Sequence, residues 1–173
     1  MSRLLAEKLI RDIPDFPKPG IIFKDITPVL QSPGAFQEVI DQFAEFASER
    51  QPDVIVGIES RGFVFGAPVA LALSRPFIPV RKVGKLPAET IREEYALEYG
   101  VNAVEIHTDS ILKGQRALVI DDLLATGGTA RATAALIERL GGRVVGYSFL
   151  IELSFLHGRD KLSGYDVQAL IAC

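Results

Sequence analysis

Cysteine is almost missing from this chain: the only one, Cys173, is the last of 173 residues. A single thiol excludes an internal disulfide framework and a clustered cysteine metal site, and it points to a reduced, cytoplasmic setting. Although 48% of residues are hydrophobic, no uninterrupted apolar run approaches the ~20 residues of a membrane span. Met1-Ser2-Arg3 leads into an amphipathic segment, not the apolar block of a signal peptide. Positive charge is not in excess either. With 19 basic against 22 acidic residues the formal charge is −3, which argues against a nucleic-acid-binding protein but leaves room for a local basic site. The two histidines, His107 and His157, fall in no site-like string and read as surface or core residues. Two familiar phosphate loops are absent as well. No lysine follows Gly128, as GxxxxGK[ST] would require, and there is no GxGxxG with an acid about 20 residues later.

What is present is concentrated in RALVIDDLLATGGT, residues 116–129. Ala117-Leu118-Val119-Ile120 has the branched apolar character of a parallel strand covered on both faces. It delivers Asp121 and Asp122 to the strand's C-terminal end, where ligands bind in open α/β sheets. Ionised carboxylates only accept hydrogen bonds, so they suit sugar hydroxyls. Ala125, Thr126, Gly127, Gly128 and Thr129 carry no bulk to keep an anion from the backbone. Their N–H groups, at the start of a helix expected over 129–140, favour a phosphate. Ala132, Leu136 and Leu140 mark one side of that helix, and Gly141-Gly142 ends it. The bland alternative is a solvated Asp-Asp turn at a glycine-rich helix start.

The length fits one domain, 1–173, large enough to bury a core without staples. A short helix is expected over 2–11, with Leu4, Leu5, Lys8 and Leu9 as a narrow stripe. Pro14, Pro17 and Pro19 then break regular structure. Ser32-Pro33 starts a helix with Phe36, Val39, Ile40, Phe43 and Ala47 at helical spacing. Strands are expected over 53–58, 77–80, 143–153 and 165–171, with a helix over 62–74. Residues 81–94 read as a long mobile loop, and 95–107 as a strand pair turning near Gly100-Val101-Asn102. Alternating strands and helices imply a mostly parallel sheet.

Three further strings could carry chemistry. Gly57-Ile58-Glu59-Ser60-Arg61-Gly62 ends a buried strand and opens a helix, so it offers a second anion site with an arginine fork; alternatively Arg61 pairs with Glu59. Arg81-Lys82-Val83-Gly84-Lys85 is either a solvated charged face or a lid closing over a diphosphate. In the stiff segment around Phe16 to Pro28, Phe23 could stack on a flat base while Ile22 backbone groups read its edge. On physical grounds alone, Phe16 and Phe23 packing the segment onto the core is the better reading.

FPxPGIxFxDITP, ESRGF, RKxGKLP, YxLEYG, VIDDLLATGGT and LIELSFLHGRDKL occur in that order along nearly the whole chain. The acidic phosphate loop resembles that of the type I phosphoribosyltransferases, and the proline motif with LEYG is similar to their adenine-specific branch. The resemblance implies a central mostly parallel sheet flanked by helices, a small N-terminal hood (about 1–32) over the base site, and a mobile catalytic loop with adjoining strands (about 81–107). It implies transfer of a phosphoribosyl group from 5-phosphoribosyl 1-diphosphate to adenine, giving AMP and diphosphate. Magnesium would arrive with the substrate and have no direct protein ligand, and the chain would form a homodimer, with no nucleic-acid or membrane partner. On the same resemblance, residues 125–129 would hold the 5′-phosphate and Asp121 and Asp122 the ribose. Glu59, Ser60, Arg61, Arg81, Lys82 and Lys85 would form the diphosphate site, with a strained peptide between Glu59 and Ser60. Ile22, Phe23, Lys24 and Leu153 would contact adenine, and Glu98, beside Tyr99, would manage a proton on the base. Lys24 stands where some relatives carry arginine. A sugar-diphosphate sensor without catalysis, or a transferase for another base, are the alternatives; the former would usually carry a DNA-binding helix pair or basic patch.

Overall fold

The computed structural model describes residues 4–96 and 101–173, which fall into two compact units, Met1–Gln42 and Phe43–Cys173. In the first unit, α1 is Leu5–Leu9, with Ala6 its buried residue, and its opening N–H groups at Leu5 and Ala6 donate to Glu38. The helix expected to reach Arg11 stops short because Ile10 is extended. Arg11–Pro14 forms β1 instead, antiparallel to β2, Ile22–Asp25. The prolines were read as breaking regular structure, but fixed φ angles suit an edge strand and a turn equally well. Opposite charges face each other across this hairpin: Arg11 binds Asp25 at 2.6 Å and Lys24 binds Asp12 at 2.8 Å, a favourable cross-strand arrangement. The Thr27 backbone N–H, its hydroxyl and the Arg11 fork together hold the Asp25 carboxyl down at about 2. A short α2, Thr27–Gln31, follows, and then α3, Pro33–Arg50. As its periodicity predicts, Val39, Ile40, Phe43 and Ala47 of α3 are buried.

The second unit is built on a seven-stranded sheet. Its strands are β3 (Val54–Ile58), β4 (Phe77–Lys82), β5 (Thr90–Ala96), β6 (Val101–His107), β7 (Arg116–Leu124), β8 (Arg143–Glu152) and β9 (Val167–Ala172). Their spatial order is β5-β6-β4-β3-β7-β8-β9. The five strands from β4 to β9 in this order run parallel, while β6 is antiparallel to both β4 and β5. Helices α4 (Arg61–Ala72) and α5 (Gly128–Arg139) follow β3 and β7. All five β3 residues are buried, which explains its unbroken apolar run. Ile55, Leu118, Ile120, Leu136, Ile137, Tyr147 and Phe149 are among the largest fully buried side chains. Each aliphatic one contributes roughly 1.5–3 kcal/mol by leaving water.

The reading of 81–94 as one long loop is corrected. Arg81 and Lys82 end β4, Thr90 starts β5, and only the residues between them form a turn. β5 hides from a polarity scan because it is a sheet-edge strand: Arg92 and Glu94 face outward while Ile91, Glu93 and Tyr95 are partly buried. After β8, two 3₁₀ turns at Ser154–Leu156 and Gly158–Leu162 occupy a stretch for which the sequence predicted no element.

Candidate active site

β3 and β7 lie side by side, but β3 leads next to β4 on one flank and β7 leads next to β8 on the other. The chain order therefore reverses between β3 and β7, the position where an open α/β sheet leaves a crevice at its C-terminal edge. Their register pairs Gly57 with Ile120. The residues that follow, Glu59-Ser60-Arg61 from one strand and Asp121-Asp122 from the other, are thereby brought together. Close approach is essential here: a Cβ on Gly62 would stand 2.7 Å from the Ile120 carbonyl oxygen. The Glu59–Ser60 peptide is cis.

The two loops predicted separately from the sequence are joined by an ion pair. Arg61 Nε lies 2.9 Å from an Asp122 carboxylate oxygen, and the Asp122 side chain is 5% exposed. The alternative pairing of Arg61 with Glu59 does not occur, because Glu59 is engaged elsewhere. It accepts a forked pair of bonds from Arg81 (3.1 and 3.2 Å) and one from the Lys82 N–H (3.0 Å). Burial works to raise the Glu59 carboxyl, but the Arg81 and Lys82 bonds prevail and hold it below its ordinary value. Glu59, Ser60, Arg61, Lys82, Asp121, Asp122 and Thr129 line one cavity of about 200 Å³. Tyr95 and Val104 line it too. Sequence reasoning passed over both, although Tyr95 opens the YxLEYG string. Lys85 does not line this cavity; it is exposed on the turn and its carbonyl accepts a 3.2 Å bond from Arg81.

A smaller adjoining cavity, about 70 Å³, is bounded by Asp121 and by every residue from Ala125 to Thr129. Gly127 takes the left-handed conformation, φ 76°, immediately before α5 begins at Gly128. The helix start, free of bulk on its loop side, supplies an anion-binding N-terminus. The unforeseen 3₁₀ segment braces this loop from behind. Gly158 packs so closely that a Cβ there would be 2.0 Å from the Ala125 carbonyl oxygen. Arg159, next in sequence, grips Glu152 through Nε at 3.1 Å and donates to the Val167 carbonyl at 2.9 Å.

Burial and the neighbouring Asp122 charge push the Asp121 carboxyl well above the ordinary carboxylate range. Burial raises Asp122 too, with Arg61 opposing. Arg61 Nε contacts Asp122, and Asp121 is the carboxyl raised well above its ordinary value. Its folded pKa is raised, so between the ordinary and the raised value the folded state binds more protons than the unfolded state, and stability falls as pH rises through that window. Asp121→Asn is accordingly expected to melt above the wild type, by a margin that widens as pH increases. Thermal melts across pH would check this, and a margin that narrows with rising pH would contradict it.

Ile22 on β2 is 58% exposed, and Phe23 is half-buried with the Phe16 ring edge-on at 5.2 Å. The two rings pack edge-on against each other rather than into the core, Phe16 being 50% exposed, and Phe23 keeps part of its surface accessible. The Lys24 ammonium is bound to both Asp12 oxygens, at 2.8 and 3.0 Å. Leu153 follows β8 and donates its N–H to the Leu124 carbonyl at 2.9 Å, beside the phosphate loop. Glu98 and Tyr99 lie outside the described residues. His157 is exposed, and His107 accepts a bond from the Ala88 N–H.

Residues 25–168 match the family described as Phosphoribosyl transferase domain. The chain is 57% identical over 171 residues to the adenine phosphoribosyltransferase of Desulfitobacterium hafniense, covering 99% of each chain. It is 53% identical over 171 residues to that of Thermotoga maritima, again covering 99% of each. The crystal structure of adenine phosphoribosyltransferase from Thermoanaerobacter pseudethanolicus aligns with a TM-score of 0.94 at 55% identity, covering 97% of this chain and 98% of that one. The Saccharomyces cerevisiae enzyme, solved with an imino-altritol bisphosphate and adenine, aligns with a TM-score of 0.91 at 43% identity, covering 95% and 96%. The mostly parallel sheet flanked by helices is the type I fold that the sequence motifs implied. By its sequence, its fold and its relatives, the chain belongs to the phosphoribosyltransferase family, in the adenine phosphoribosyltransferase branch.

Proposed function

We propose that the protein joins adenine to the phosphoribosyl group of 5-phosphoribosyl 1-diphosphate, releasing diphosphate and forming AMP in purine salvage. The observation that carries this reading is the meeting of two anion loops through Arg61 and Asp122 at the sheet's switch point. One loop suits a monophosphate and the other a diphosphate, with two carboxylates between them for ribose hydroxyls. In this reading, residues 125–129 hold the 5′-phosphate, Asp121 and Asp122 the ribose, and Glu59, Ser60, Arg61, Arg81, Lys82 and Lys85 form the diphosphate site. Phe23, Ile22, Lys24 and Leu153 serve the base.

The reaction is substitution at the anomeric carbon: an adenine ring nitrogen attacks as diphosphate leaves, and positive charge builds on the ribose ring. The chain's tasks are to align the reactants, to stabilise the leaving group with fixed cations and to keep water out. Arg61, already oriented by Asp122, presents a guanidinium of the kind that recognises phosphate oxygens. Deprotonation of the Asp121–Asp122 pair converts it fully to an acceptor of ribose hydroxyl bonds. Carboxylate oxygens are the donors that magnesium prefers. Among the described residues no cluster of three or more His, Cys, Asp or Glu forms a cage. Asp121 and Asp122 would help place an ion carried by the substrate, through the ribose or through water, and that ion would neutralise charge on the departing diphosphate.

Glu98 is assigned the proton on the base. Glu98→Gln should slow turnover while leaving sugar-diphosphate affinity near the wild-type value. Steady-state rates across pH test this, and wild-type turnover at every pH would remove Glu98 from the mechanism. The substrate assignment is tested with purified protein and radiolabelled adenine, guanine, hypoxanthine and orotate, with and without magnesium. Conversion of adenine alone is expected. Conversion of another base alone, or of none, would overturn the assignment. A homodimer in a reduced cytoplasm completes the proposal, with sedimentation equilibrium as the check on assembly. No helix among the described residues is long and apolar enough to cross a membrane.

A further inference from the structure

The basic string 81–85 is held in place by acids at both of its ends. At its start, Glu59 takes the Arg81 fork and the Lys82 N–H. Beyond β4, the N–H groups of Gly84, Lys85 and Leu86 all donate to one oxygen of Glu105, each at 3.0 Å. The Thr90 hydroxyl donates to the other oxygen at 3.2 Å. Glu105 is only 4% exposed, and on β6 it stands opposite Arg81. Successive backbone N–H groups converging on one point make an anion-binding concavity. Here the anion is the protein's own carboxylate. Burial acts to raise this carboxyl, but the amides of Leu86, Lys85 and Gly84 and the Thr90 hydroxyl outweigh it and hold it below the ordinary value. The far side of the turn is fastened to the same strand end, through Ala88 to His107 and Thr108 to the Glu89 carbonyl.

We propose that Glu105 is a positioning residue for diphosphate recognition: by gathering the three amides of the turn, it fixes the backbone that carries Lys85 and directly follows Lys82. The inference rests on the reading of Arg81, Lys82 and Lys85 as the diphosphate site. Glu105 touches no substrate. Its effect is preorganisation, because a turn already ordered loses less conformational freedom when the ligand arrives. The charged acceptor also matters, since bonds to an ionised carboxylate are roughly twice as strong as neutral ones.

Glu105→Ala should raise the KM for 5-phosphoribosyl 1-diphosphate and the inhibition constant of diphosphate about tenfold, while the KM for adenine stays within about twofold. Glu105→Gln keeps the side-chain volume but only a neutral acceptor, and should recover part of that loss, leaving the sugar-diphosphate KM about threefold above wild type. A variant that merely folds less well would lose active enzyme, lowering apparent kcat with both KM values unchanged, and that pattern would overturn the proposal. Equal rises in both KM values would do the same. If the alanine variant does not fold, the glutamine variant's ratio of the two KM values decides the matter: a rise in the sugar-diphosphate KM alone supports positioning, and a wild-type ratio overturns it. Lys82→Ala and Lys85→Ala separate the two layers of inference. Should neither change the sugar-diphosphate KM, the diphosphate site itself is misassigned. Should either raise it while both Glu105 variants do not, only the role of Glu105 falls.

Discussion

Gly158→Ala is expected to cripple the enzyme without touching any substrate-binding side chain. The added methyl group would stand 2.0 Å from the Ala125 carbonyl oxygen and 3.0 Å from the Gly127 nitrogen. Both are backbone atoms, so no flexible side chain can swing aside. Either the 3₁₀ segment or the phosphate loop must move by more than an ångström to restore ordinary contact. The segment is restrained by Arg159, which is bound to Glu152 and Val167. The loop is restrained by α5, whose first turn follows directly. Overpacking of this kind costs about 1–3 kcal/mol in stability. A misplacement near an ångström can cost on the order of a hundredfold in rate. The expected signature is a large rise in the KM for 5-phosphoribosyl 1-diphosphate with a modest fall in melting temperature. Gly34→Ala is the matching control. A Cβ there meets nothing within 4 Å, and within α3 it should stabilise by roughly 0.5–1 kcal/mol. Wild-type kinetics from Gly158→Ala would remove the bracing role.

The second large effect is expected at the link between the loops. Arg61→Ala removes the guanidinium from a buried carboxylate that already neighbours another acid, so the Asp122 carboxyl should be driven higher still and hold its proton. Diphosphate loses its fork at the same time. A hydrogen bond to a charged group contributes about 1.5–3 kcal/mol, so diphosphate inhibition should weaken roughly ten- to hundredfold, with adenine KM changing far less. Equal losses on both ligands would contradict the assignment. Asp122→Asn should also weaken productive sugar-diphosphate binding, by loosening Arg61 and removing an acceptor for ribose. The two substitutions act on one contact, so their effects should not add. A double variant less impaired than the two single losses combined is the expected result of the cycle, and strict additivity would mean that the ion pair has no part in binding.

What could be read in advance, and what could not, divides by how far the chemistry extends along the chain. The acids and the glycine-rich loop of 121–129 share one short string, so their proximity is covalent and a ribose phosphate could be proposed for them before any fold was known. The partner of Arg61 could not. The nearest acid in sequence is Glu59, but the parallel register of β3 on β7 places Asp122 closer and gives Glu59 to Arg81. The β1–β2 hairpin was missed because prolines that break a helix also suit an edge strand. The strand pair read over 95–107 is present as β5 and β6, but residues 90–94 of β5 read as loop because an edge strand carries charge on its open face. Glu105 gave no signal within its own apolar strand, since its ligands are backbone amides of another segment. Gly158 is the extreme case, because what it contributes is the absence of a side chain against a loop distant in sequence.

The pairing of β3 with β7 also works as a ruler. Adjacent strands stand about 4.8 Å apart because hydrogen-bond geometry allows little else. The separation between the loops proposed to take the two phosphate groups is therefore set by the backbone, and no substitution on the surface can retune it. A change in the length of the phosphorylated sugar would require rebuilding the sheet.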